Sequence, residues 1–201
     1  MAIPRRLIPQ RKGRCAMPTP IASEQSVGPL TELLGQVRQA SGGRLLALHT
    51  DLARSPAVLA AYLGLRRAGS DYGTLAPMVQ AAIMLAVGVA DDGAYSQAIA
   101  TQLAIGAGMT QEQTVAVRTG QIADVRLAAL LAVMREAAVN TGRVTEGTWA
   151  AATAAGWSVA QLTEAFVFLA LTVFVDYFTH YAHTELDVPP APPVLSEGTN
   201  R

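Results

Sequence analysis

The chain has 201 residues, with three histidines and one cysteine. His180 and His183 are three apart, and Asp176 lies one helical turn before His180. That spacing suits a pair of metal ligands, or a base with the carboxylate that orients it. It equally suits a helix C-terminus, where a protonated imidazole complements the dipole. No third close ligand accompanies the pair, so no metal is expected there. His49 stands on a leucine-rich segment with Asp51 two residues on, either as a satisfied, half-buried side chain or as a general base. Cys15 is alone, which leaves no disulfide, no Cys-x-x-Cys pair and no thiolate metal site.

A second group surrounds Asp91-Asp92-Gly93. A helix is expected from about Ala94 to Ala107, with Tyr95 and Ser96 in its first turn. The free N–H groups of such a turn attract a carboxylate or a developing enolate. Tyr95, Ser96 and Asp92 are therefore candidate catalytic residues, with His49 as a fourth. The structural alternative is that Asp92 caps the helix, Tyr95 packs and Ser96 fills space.

The elements that must position these groups read as helix after helix. Leu30, Leu33, Leu34 and Val37 follow Pro29 at helical spacing, and Gly42-Gly43 stops them. Ser55-Pro56 opens a helix through Arg67. Thr74 is the expected cap of a helix to about Ala90, apolar on nearly every face. Thr110-x-x-Gln113 is a capping box for a short helix that ends at Gly120. Asp124 opens a helix with Leu127, Leu130, Leu131 and Met134 on one face. Thr145 caps an alanine-rich helix ending at Gly156, and Ser158-x-x-Gln161 boxes the longest helix, to about His183. Gly108 to Gln113 and Gly156 to Gln161 look alike, as a weak internal repeat or as convergent capping. No stretch reads as a strand, so the fold class is all-α.

Composition agrees. Half the residues are hydrophobic and only 15% are charged, against about 25% in ordinary domains. A surface so poor in charge suggests a partner subunit, hence a homo-oligomer. Residues 1–20 hold Arg5, Arg6, Arg11, Lys12 and Arg14 and no acid, while the remainder is acidic. An acidic body argues against nucleic acid. The segments 75–90 and 165–175 are too short for a bilayer core, so no membrane span is expected. With no export signal read in the leader, the cytoplasm is the default compartment. The expected organisation is a disordered basic leader over 1–25, one helical domain over 26–188 and a proline-rich tail over 189–201. The aromatic set Phe166, Phe168, Phe174, Tyr177, Phe178 and Tyr181 reads as core and subunit contact.

Four segments together resemble the carboxymuconolactone decarboxylase and alkylhydroperoxidase D-like superfamily. The segment Thr74 to Val87 is similar to the family's helix beginning "L-S-P-x-x-R-E". Ala100 to Gly120 resembles the stretch after the family's catalytic histidine, and Asp124 to Gly156 the next helix and turn. Asp176-Tyr-Phe-Thr-His180 through Thr184-Glu-Leu-Asp-Val-Pro189 is similar to the signature "N-Y-x-N-H…T-E-x-D-x-P". The resemblance covers roughly residues 26–190 and implies a helical alkylhydroperoxidase D-like bundle that forms homo-oligomers. In the family's redox branch a glutamate precedes Cys-x-x-Cys-x-x-x-His by twelve residues. Here those positions fall on Ala81, Gly93, Ser96 and Ala100, and all four catalytic groups are replaced. Serine cannot pass through a sulfenic acid or a disulfide, so thiol peroxidase chemistry is not expected even though the family would suggest it. Gln80, which stands where the family has an arginine, is a substrate-binding candidate together with Gln97 and His180, around a small molecule. The expectation is a cofactor-free lyase, isomerase or cyclase acting on a small organic acid, lactone or related metabolite. The alternative is a non-catalytic binding or scaffold member.

Overall fold

The computed structural model describes residues 27–194. The basic leader, Cys15 and the last seven residues lie outside that range. The described residues contain nine helices and no strand: α1 Val27–Ala40, α2 Ala47–Leu52, α3 Pro56–Tyr72, α4 Pro77–Ala90, α5 Ala94–Gly106, α6 Gln111–Thr119, α7 Val125–Val139, α8 Glu146–Ala154 and α9 Val159–Ala182. The all-α expectation holds.

Helix α4 occupies the centre and packs against α5, α6, α7 and α9. Its lack of a polar face follows from that position: Ala81, Ala82, Ile83, Leu85, Ala86, Val87 and Gly88 are all buried. A helix surrounded on all sides has no stripe to leave polar. Around it one core gathers residues of α4 to α9, including Leu130, Leu131 and Met134. A second core joins α1, α2 and α3 to Tyr95 of α5 and to Leu171 and Val175 of α9. Helix α9 is thus shared by both cores. It is also long and apolar enough to cross a membrane by length and composition alone, which the eleven-residue apolar run had not suggested. Its packing on α3, α4, α5 and α7 is that of a bundle helix.

The caps at Thr110, Asp124, Thr145 and Ser158 each accept a backbone N–H as expected, at Gln113, Leu127, Thr148 and Gln161. Two features depart from the sequence reading. Helix α3 continues past Arg67 to Tyr72. Thr74 caps nothing, because α4 starts at Pro77 with Ala76 in the cap position. Instead the Glu164 carboxylate of α9 accepts from the Thr74 N–H at 2.7 Å, the Thr74 hydroxyl at 2.6 Å and the Leu75 N–H at 2.8 Å. A side chain from a distant helix thus ties down the turn that leads into α4.

Beyond His183, which ends α9 in the left-handed region, residues 184–194 run without helix across the bundle. The Thr184 hydroxyl donates to Asp51 at 2.8 Å. Arg44 donates to the Asp187 carbonyl at 3.0 Å, and Arg118 donates to the Pro192 carbonyl. This strap crosses the N-terminal half of α5.

Candidate functional site

Helix α5 begins where α4 turns back on itself. Asp91 ends α4, Asp92 takes a positive φ of 56° and Gly93 is the N-cap. Asp92 therefore does not cap α5, and its side chain is exposed. The helices run close here because Gly88 has no side chain: a Cβ at Gly88 would stand 3.3 Å from the Ser96 Cβ.

Adjacent in sequence, Tyr95 and Ser96 enter different surroundings. The Tyr95 hydroxyl donates to Asp187 Oδ1 at 2.8 Å and accepts from the Leu48 N–H at 3.4 Å. The second Asp187 oxygen accepts from the Ala47 N–H at 2.8 Å. Burial and the bond to Asp187 push the Tyr95 phenol far above its ordinary range, so it stays protonated. Tyr95 is a strut that ties the strap to α2 and α5. His49 belongs to the same neighbourhood. Its Nδ1 accepts from the Leu46 N–H at 3.1 Å, its ring is tilted on Tyr62 with centroids 5.9 Å apart, and it is buried. Burial first, then the Arg66 charge, lower its pKa to about 4. The neutral imidazole serves as a helix cap for α2, an element that the sequence reading left unrecognised.

Ser96 faces α9. Its hydroxyl, both oxygens of Asp176 and Asp91 Oδ2 are buried, and among the described residues none of them makes a well-formed hydrogen bond. Asp176 is fully buried on α9 and lies against Gly93, where a Cβ would overlap its carboxylate. Burial pushes its pKa up to about 7; the Ser96 hydroxyl pulls the other way, and the Asp91 charge adds to the rise. Asp91 is itself raised by burial and held back by the charge of His180. His180 is exposed and Asp91 half-buried, so the cluster meets the surface through these two. The Ser96 hydroxyl and N–H are close enough to lower the Asp176 pKa, but buried polar atoms usually have well-formed bonds, so two carboxyls with so few partners in one buried place are unusual.

The remaining candidates are dispersed. Gln80 donates to the Leu75 carbonyl at 2.7 Å. Gln97 donates to the Gly88 carbonyl at 3.2 Å and accepts from Arg118 at 3.1 Å. Both brace the backbone rather than joining Ser96. Ala81 and Ala100, where the family resemblance places a glutamate and a histidine, are packed into the larger core. Among the described residues no group of three or more acids, histidines or cysteines is arranged to hold a metal ion. The sequence reading set Asp91 next to Tyr95 and Ser96 without giving it a role, and it missed Asp176 as the acid that meets Ser96 and Asp187 as the partner of Tyr95. Asp176 had been noticed only as a neighbour of His180 on one helix.

This fold is shared with a debrominase. A cysteine-to-alanine variant of the debrominase Bmp8 in complex with 2,3,4-tribromopyrrole matches with a TM-score of 0.68 at 14% identity, covering 86% of this chain and 94% of that one. The same enzyme without ligand gives a TM-score of 0.67 at 13% identity, over 83% and 90%. At such identities the likeness concerns the fold alone. No family model matches the sequence, and no curated protein matches it.

Proposed function

We propose that the chain is a divergent, cofactor-free member of the carboxymuconolactone decarboxylase and alkylhydroperoxidase D-like superfamily. It acts by proton transfer on a small organic molecule, as a lyase, isomerase or cyclase. One observation carries this reading: Asp176, with a pKa near neutrality, is buried against Ser96 at the start of α5, with no other hydrogen-bond partner among the described residues. A buried acid costs stability, and a carboxyl poised near the working pH is suited to give and take protons. In the proposed reaction, carboxylate Asp176 accepts a proton from carbon next to a carbonyl. The electron pair moves onto the carbonyl oxygen, where the N-terminal N–H groups of α5 and the Ser96 hydroxyl stabilise the enolate. Return of the proton at another carbon completes an isomerisation. Asp176 is fully buried, so the substrate reaches it only when the side marked by Asp91 and His180 opens. The Bmp8 likeness supports a small organic substrate, since that enzyme was captured with a brominated pyrrole.

Sulfur plays no part in this reading, because Cys15 is the sole cysteine and glycine and serine stand at 93 and 96. A second reading, a non-catalytic binding or scaffold member, is favoured by the closed packing of Ala81 and Ala100. Cytoplasmic residence and self-association belong to the same proposal; light scattering reads the second.

The test is independent of the exact product. Lactones and small keto acids that raise the melting temperature are incubated with the protein in deuterated water and followed by NMR. Deuterium should enter carbon in at least one stabilising compound, and Asp176→Asn should slow that entry by about 100-fold or more. Stabilisation without deuterium entry or product would favour the scaffold reading.

A further inference from the structure

Away from α5, between α1 and α3, lies a groove of about 340 Å³ lined by Gln36, Gln39, Leu63, Arg66, Arg67 and Ser70. Its volume falls at the lower end of the range for small-molecule sites. Three features distinguish it from ordinary surface. Two arginines, Arg66 and Arg67, line it in an otherwise acidic body, and neither has a carboxylate within ion-pair distance among the described residues. Arg66 is braced: its Nη1 donates to the Tyr62 hydroxyl at 3.2 Å, and its guanidinium lies 5.8 Å from the Tyr62 ring centroid. That bracing lowers the entropy lost when its remaining N–H groups take a ligand. Finally, Gln36 Oε1 is buried and has no partner, an acceptor that calls for a donor.

We infer that this groove binds a small carboxylate carrying its own hydroxyl or amino donor. The carboxylate is held by Arg66 and Arg67, and the donor by Gln36 Oε1 once that side chain turns outward into the groove, since the atom is covered in the empty site. Arg–carboxylate recognition supplies the charge-assisted bonds. The buried side chain of Leu63 offers apolar surface to the ligand's carbon skeleton. Ser70 is already engaged, with its hydroxyl 3.2 Å from the Arg67 carbonyl and 2.8 Å from Asp71 Oδ1, so it forms the rim. The site is separate from the Asp176 cluster and does not depend on the proposed reaction.

Titration calorimetry with matched probes tests it: L-lactate against propionate, L-malate against succinate, and L-serine. At least one of the three donor-bearing acids should bind with a dissociation constant below about 10 mM, more tightly than its matched control by roughly fivefold or more where a control exists. Arg67→Gln, at an exposed position, should weaken binding by about tenfold or more while leaving the melting temperature unchanged. Gln36→Leu should remove the preference for lactate over propionate or malate over succinate while retaining the carboxylate contribution. Asp176→Asn should bind the probes as the parent does, which separates this groove from the proton-transfer site. The inference fails if no donor-bearing acid binds, if Arg67→Gln binds equally well, or if propionate and succinate match their hydroxy counterparts.

Discussion

Asp176 and His49 are buried ionisable groups displaced in opposite directions, and their effects on stability oppose each other. The folded state holds the Asp176 proton up to about pH 7, whereas an unfolded aspartate loses it near 3.8. Stability from this group is present at low pH and falls as pH rises through that interval. His49 is the converse: the folded state refuses a proton down to about pH 4, while an unfolded histidine takes one near 6.5. Its contribution is lost as pH falls through that window. Between about pH 4 and 6.5 the two slopes offset each other. Urea unfolding of the parent should therefore vary little with pH there. Asp176→Asn should uncover a rise in stability with pH, and His49→Gln a fall; an unchanged profile in Asp176→Asn would contradict the buried-acid picture. At Gly93 the contact with Asp176 is direct. Gly93→Ala should cost about 3 kcal/mol or more in a denaturant titration, and Asp176→Gly in the same chain should recover much of it. None of this was legible locally. The sequence shows Asp176 one turn before His180, and only the path of α9 across the bundle carries it onto Gly93.

Local signals at the helix ends were read well, because a capping box satisfies N–H groups within four residues. Ser158 and Gln161 reciprocate across the start of α9, as Thr110 and Gln113 do across that of α6. Ser158→Ala should lower stability by about 1 kcal/mol. Where a residue's partner comes from elsewhere, the sequence misleads. Thr74 has the right residue type before an apolar run, yet its partner is Glu164 on α9. Burial raises the Glu164 pKa, and the bonds from Thr74 and Leu75 outweigh it, leaving the carboxyl below its usual range. Glu164→Ala removes three charge-assisted bonds. It should cost about 2 to 3 kcal/mol, clearly more than the local cap, in parallel denaturant curves. Helix α2 escaped notice for a related reason. It has six residues, and its N-terminal N–H is satisfied by an imidazole rather than by a residue with a familiar capping role.

The strap gives the whole molecule a seam between its first and last described segments. Asp187 binds the α2 N-terminus with one oxygen and Tyr95 with the other, and Arg44 grips its carbonyl. Asp187→Ala should speed hydrogen exchange at the Ala47 N–H and proteolysis within 184–194. It should also return the Tyr95 phenol towards its ordinary pKa near 10.0 in an absorbance titration. Unchanged exchange at Ala47 would show that the strap is held elsewhere. The all-α class could be read along the chain, since periodicity and caps are short-range; the strap could not, because its bonds join residues at opposite ends of it. As this backbone stands, the Asp176 carboxylate occupies the volume a larger residue at 93 would need. A library that randomises position 93 alone should therefore return glycine, and other residues should be recovered only when 176 is randomised with it.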